Sequence, residues 1–133
     1  MIFSTRSTYG LRAMIKLAKQ AELESMPLAN IAKQEKISLK YLERLFAILK
    51  KAGLIKSIKG ASGGYLLAKS SKQINIYDII KALEGKLNPF HCSEKNEKIF
   101  CSKSCRCEAA KVLVKVEQAI NATLKDIKLS QLL

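Results

Sequence analysis

Near the start of the chain apolar residues return at three- and four-residue steps: Tyr9, Leu11, Met14, Ile15 and Ala18. That spacing places them on one stripe and predicts an amphipathic helix over residues 8–21. A polar break runs from Glu22 to Met26. Pro27 then suits the first turn of a short second helix, because its ring presets the helical φ and it lacks an N–H that this turn would leave unpaired. The apolar face of that helix is Leu28, Ile31 and Ala32. Lys36-Ile37 reads as a turn, and Ser38 as the N-cap of a third helix. In the third helix Leu42, Leu45, Phe46 and Leu49 share one face, with Lys40, Glu43, Arg44 and Ala47 opposite, and Gly53 falls where a C-terminal cap is expected.

The period then changes. Leu54 to Ile58 and Tyr65 to Ala68 are short runs rich in branched or aromatic residues and predict two strands. Between them Lys59-Gly60-Ala61-Ser62-Gly63-Gly64 predicts a flexible hairpin tip. A glycine-rich loop can also cradle a phosphate, but this one joins two strands and no Gly-Lys-Ser/Thr follows it. Asn75 can cap a fourth helix through Ile76, Ile79, Ile80 and Leu83, closed by Gly85. Residues 86–104 have no sustained period and include Pro89, so they read as a loop. A last helix is predicted from near Cys105 to about Lys125, with Val112, Leu113, Val116, Ala119, Ile120, Thr123 and Leu124 forming a wide stripe. No internal repeat or low-complexity segment stands out. The predicted fold is mostly α with a small β-hairpin: a winged helix–turn–helix followed by a long C-terminal helix.

Charge sharpens this picture. The chain of 133 residues carries a formal +13, unevenly distributed. Residues 1–69 hold 13 Lys/Arg against four Glu and no Asp, a net of +9, whereas residues 70–133 hold 11 against seven, a net of +4. A concentrated basic surface most often neutralises phosphate, and the order of elements places Lys40, Arg44, Lys50 and Lys51 on the third helix and Lys56 and Lys59 on the wing. No apolar run approaches the ~20 residues of a membrane span. The N-terminus also lacks the apolar stretch and cleavage site of an export signal. A cytoplasmic location is expected, with no membrane partner, and thiols there stay reduced.

All four cysteines, Cys92, Cys101, Cys105 and Cys107, fall within sixteen residues. So dense a set in a reducing compartment reads as thiolate ligands for a metal or iron–sulfur site before it reads as a disulfide framework. Four thiolates also suit structural zinc. A redox switch is a third option, although a bridge between Cys105 and Cys107 would be strained. Lys95, Lys98, Lys103 and Arg106 surround the set and favour the thiolate form. An enzyme is disfavoured: there is no Cys-x-x-Cys, no βαβ pattern, no nucleotide loop and one histidine.

Two stretches carry a family resemblance: Ile37-Ser38-Leu39-Lys40-Tyr41-Leu42-Glu43-Arg44-Leu45-Phe46, then Gly53-Leu54-Ile55 with Lys59-Gly60-Ala61-Ser62-Gly63-Gly64-Tyr65-Leu66-Leu67. They resemble the Rrf-type family of bacterial winged helix–turn–helix transcription regulators, and the likeness extends from Thr5-Arg6 to the closing Ile127-Lys128-Leu129-Ser130-Gln131-Leu132. The resemblance implies a homodimer on a pseudo-palindromic operator in double-stranded DNA. It divides the chain into a DNA-binding domain (1–84), a cluster-binding cysteine loop (85–107) and a dimerisation helix and tail (105–133). The positions it assigns to DNA are Ser38, Lys40, Tyr41, Glu43 and Arg44 on the third helix, Lys59 and Ser62 in the wing, and Thr5 and Arg6 at the backbone. Lys40 and Lys59 can meet phosphate or guanine acceptors, and Glu43 can accept from a cytosine amine. Relatives commonly carry arginine where this chain has Lys59, so bidentate reading by the wing is lost.

The resemblance also implies an iron–sulfur cluster, 2Fe-2S ahead of 4Fe-4S, that can be missing after aerobic preparation. Cys92, Cys101 and Cys107 match the family's ligands, taking Leu113 as standing where many relatives have a tryptophan. Cys105 leads the candidates for fourth ligand, ahead of Glu108, His91 or an exogenous group. The histidine some members use corresponds to Ala110, and the acidic residue others use corresponds to Thr8, so neither is available here. Gaining, losing or oxidising the cluster would then alter DNA affinity. The alternatives are a metabolite-responsive repressor of the cysteine-metabolism type, with no cluster, and a zinc-stabilised regulator.

Overall fold

The computed structural model describes residues 3–20, 23–87 and 108–133. The first helix, α1 (Thr5–Ala18), begins three residues before the sequence pattern suggests, because Ser4 accepts from the Arg6 N–H and caps the turn ahead of the apolar stripe. Helix α2 (Leu28–Glu35) starts after Pro27, which stands at the N-cap, and ends at Lys36 in the left-handed region (φ 55). That residue makes the tight turn into α3 (Leu39–Lys51), whose Ser38 cap accepts from the Tyr41 N–H. Strands β1 (Ile55–Ile58) and β2 (Gly64–Leu67) pair antiparallel, with Ile55 opposite Leu67 and Ile58 opposite Gly64. Helix α4 (Ile76–Glu84) is capped by Asn75, whose side chain accepts from the Asp78 N–H, and stops at Gly85 (φ 85). Helix α5 (Glu108–Asp126) leads into a short 3-10 helix, Leu129–Leu132.

Burial follows the predicted stripes. Met14 and Leu17 of α1, Ile31 of α2, Leu42, Leu45, Phe46 and Leu49 of α3, and Ile79 and Leu83 of α4 form one core with Leu54, Ile55 and Ile74. Phe46 meets Tyr65 of β2 edge-on at 5.0 Å, fixing the wing against the helix it follows. The wing base is extended by an antiparallel bridge between Met26 and Tyr65. Leu129, in a tail too short to show a period, is fully buried, and Lys128 bridges Asn75 at the start of α4. The C-terminal end of the chain is therefore stitched into the N-terminal core.

Helix α5 behaves differently. Leu113, Glu117, Ile120 and Leu124 are half-buried, and Ala110 is its only buried residue. A second line, Val112, Val116, Ala119 and Thr123, faces solvent, with Val112 62% and Val116 43% exposed. Among the described residues no helix is long and apolar enough to cross a membrane.

Candidate nucleic-acid interface

Helix α3 has no choice about which face it shows. With Leu42, Leu45, Phe46 and Leu49 in the core, Lys40, Glu43, Arg44 and Ala47 are turned out and exposed. Ser38 is exposed at its cap, and Tyr41 is half-buried beside α1. The Tyr41 hydroxyl lies 3.2 Å from the Thr5 hydroxyl, and its ring meets Tyr9 edge-on at 6.0 Å. Three of the sequence-predicted positions, Thr5, Tyr41 and Ser38, are thus brought together where α1 and α3 begin. Lys59 and Ser62 are exposed on the wing tip, which is tied to the start of α2 by a bond from the Ser25 hydroxyl to the Ser62 carbonyl (2.6 Å). The other end of α3 is joined to the wing by Lys50 Nζ donating to Ser57 Oγ at 2.8 Å.

Arg12 stabilises the turn of the motif. Its guanidinium donates to the Glu35 carboxylate at 3.1 Å and to the Glu35 carbonyl at 2.6 Å, filling an acceptor that the end of α2 leaves open. The same guanidinium lies 5.6 Å from the Tyr9 ring centre. The α2–α3 turn and the tyrosine pair are therefore braced by one α1 residue.

The most densely bonded acidic residue in this region is one that sequence reading passed over. Glu84, the last residue of α4, accepts on Oε1 from the Ser4 N–H (2.9 Å), the Ser4 hydroxyl (2.6 Å) and the Ser7 hydroxyl. Its Oε2 faces Arg6 Nη2 at 3.4 Å. Burial by itself pushes this carboxyl up, but the serine donors and the Arg6 charge outweigh it and hold the group below its ordinary value. Its partners lie 77 to 80 residues away in sequence, so no local pattern marks it.

A helix–turn–helix with a solvent-facing cationic second helix and a basic two-stranded wing suits the grooves and backbone of duplex DNA. The comparison with known proteins agrees. The family model Rrf2, described as an iron-dependent transcriptional regulator, matches residues 3–133. The chain belongs to the Rrf2 family. It is 34% identical to the protein rrf2 of Nitratidesulfovibrio vulgaris over 133 residues, covering 100% of this chain and 87% of that one. The structure of CymR, the global cysteine regulator of B. subtilis, superposes with a TM-score of 0.79 at 34% identity, covering 99% of this chain and 95% of that one. IscR of T. potens superposes with a TM-score of 0.74 at 35% identity, covering 98% and 84%. This Rrf2-family chain is accordingly a DNA-binding transcriptional regulator and not an enzyme.

The cysteine site stands apart. Cys92, Cys101, Cys105 and Cys107, with His91, lie outside the described residues. Among the described residues no group of three or more His, Cys, Asp or Glu could hold a metal, and the candidate ligands remain the cysteines that the sequence offers. Their chemistry fits, since thiolate is the preferred donor for iron–sulfur clusters and for structural zinc.

Proposed function

We propose that this Rrf2 regulator works in the cytoplasm as a homodimer on a pseudo-palindromic operator, and that a cysteine-held iron–sulfur cluster sets its DNA affinity. Lys40, Glu43 and Arg44, with Ser38 and Tyr41, read or grip the major groove; Lys59 and Ser62 meet the DNA through the wing; Thr5 and Arg6 bind backbone. The observation that carries this reading is the outward, cationic face of α3, fixed by the burial of Leu42, Leu45, Phe46 and Leu49 on its other side. The working division is a DNA-binding domain over 1–84, a cysteine segment over 85–107 and a dimerisation helix and tail over 105–133.

For dimerisation the support is the exposed line Val112, Val116, Ala119 and Thr123, spaced four, three and four apart as in a two-helix seam. A groove lined by Phe3, Ala119, Thr123 and Leu124, and a second that shares Phe3 and Leu124 and reaches Leu11 and Ile15, continue that surface towards α1. Cys92, Cys101 and Cys107, with Cys105 as fourth ligand, would hold the cluster, 2Fe-2S ahead of 4Fe-4S. When bound, the cluster supplies a redox- and nitric-oxide-sensitive group whose gain or loss biases the DNA-competent state. An anaerobic absorbance spectrum with iron and sulfide counts, repeated on Cys105→Ala, tests this. Colour with matching iron and sulfide is expected in the parent protein; a colourless protein containing zinc alone would establish the zinc-stabilised alternative instead.

A second reading draws on the likeness to CymR, whose description as a global cysteine regulator supports a metabolite-responsive repressor without a cluster. Under it, Cys92→Ala and Cys101→Ala leave operator affinity and its regulation intact.

A further inference from the structure

Ser4, Thr5, Arg6 and Ser7 form a short polar strip at the start of α1, and each has a partner on another element or within the strip. Ser4 and Ser7 are held by one oxygen of Glu84, and Thr5 by the Tyr41 hydroxyl of α3. Ser7 is 2% exposed, the one buried polar side chain of the described residues, so its hydroxyl needs the acceptor that Glu84 supplies. Arg6 and Thr5 are exposed: half of the Arg6 side chain reaches solvent, against 11% for Glu84. One edge of its guanidinium is occupied, Nε by Ser4 Oγ at 3.3 Å and Nη2 by Glu84 Oε2 at 3.4 Å. Among the described residues Nη1 makes no hydrogen bond, which leaves its donors available on a side chain half open to solvent.

A guanidinium presents its donors in a rigid plane, so holding one edge fixes the direction of the other. We propose that Glu84 is a positioning residue for DNA binding: Oε1 anchors the first turn of α1, and Oε2 aims the free edge of Arg6 at the phosphate backbone. This rests on the reading of Arg6 as a backbone contact. The alternative, that Glu84 is only a negative charge near a polyanion, makes the opposite prediction: removing it should tighten DNA binding.

Glu84→Gln separates the two. An amide keeps one acceptor oxygen for Ser4 and Ser7 but places a donor against Arg6, so the helix anchor survives and the aim is lost. The experiment measures operator affinity against salt for the full-length parent, Arg6→Ala, Glu84→Gln and the double variant, with circular dichroism confirming that each is folded. The expected result is that either single change lowers the log–log salt slope by about 0.9 for each copy of Arg6 on the DNA, equivalent to roughly fivefold weaker binding per copy at ~0.15 M salt. The double variant should match the singles, because the two side chains act as one unit. Tighter binding by Glu84→Gln at an unchanged slope overturns the inference, as do losses that add in the double variant. A parent protein with no steep salt dependence overturns the wider reading of a phosphate-gripping face, and the inference with it; a steep parent slope that Arg6→Ala leaves untouched overturns the inference while the rest of that face stands.

Discussion

A methyl group added at Gly64 would stand 2.4 Å from both the carbonyl carbon and the oxygen of Met26. Those are backbone atoms of the bridge that closes the wing base, with Met26 and Tyr65 exchanging hydrogen bonds at 2.9 Å, so no rotamer change relieves the clash. At Gly10 the same addition meets Leu83 Cδ1 at 2.3 Å, the far end of a side chain that can turn or be shortened. Each substitution is expected to cost about 1–3 kcal/mol, with Gly64→Ala at the upper end. Leu83→Val should recover part of the loss for Gly10→Ala, whereas no side-chain change rescues Gly64→Ala; thermal melts of the single and paired variants check both. Neither glycine has a positive φ; Gly64, which the sequence places in the flexible hairpin tip, is instead the first residue of β2, and the constraint on both comes from segments that arrive from elsewhere. The caps at Ser38 and Asn75 were legible because each bonds within three residues of itself. Glu84 was not, for the same reason reversed. Its lowered pKa has a consequence for acid stability. The unfolded chain takes up the proton first, near the ordinary carboxylate value of about 4.3, so the contribution of Glu84 is complete above that pH and is lost as pH falls through the lower folded-state value. In urea melts between ~pH 3 and 6 the parent should therefore lose stability more steeply on acidification than Glu84→Gln.

At the level of elements, α5 is the helix whose sequence and surroundings disagree in a single chain. Its apolar stripe was readable as unusually wide. What periodicity could not show is that the stripe splits into two, with Leu113, Ile120 and Leu124 half-buried and Val112, Val116, Ala119 and Thr123 left in water. A monomer would gain little from the second line, whereas two copies packed along it would bury it. Val116→Glu places a charge at the middle of that seam and should convert a dimer to monomer in sedimentation equilibrium, with the far-ultraviolet spectrum unchanged because the position is solvent-facing in the isolated fold. Val114→Glu, exposed (40%) but off that line, serves as the control and should remain dimeric. A pair of variants that both stay dimeric would move the interface elsewhere. The remaining elements were legible to within three residues at the ends the described residues contain; the expected start of α5 near Cys105 lies outside them. The exceptions are the 3-10 helix, too short for any period, and the cysteine segment, which lies outside the described residues.

For the whole molecule, the question is how many copies of each basic residue reach the DNA at once. A formal charge of +13 per chain guarantees attraction to any polyanion, so affinity alone does not distinguish a specific face from a general one. The salt slope does, because each phosphate contact releases counterions and contributes about 0.9 to it. A substitution that removes one contact from a monomer lowers the slope by about 0.9, and the same substitution in a symmetric dimer lowers it by about 1.8, since both copies are lost together. Lys59→Ala on the exposed wing tip and Lys40→Ala on α3 are therefore expected to lower the slope by about 1.8 each on the operator. Lys33→Ala, exposed on α2 outside the proposed contact set, is expected to leave it unchanged. Repeating the measurement with Val116→Glu should bring the Lys59 effect down to about 0.9, because a half-site binder presents a single wing. A Lys59 effect of about 0.9 in the parent would argue for one chain at a time on the DNA. No effect at either lysine would detach the α3 face and the wing from the DNA footprint, however strongly the protein binds.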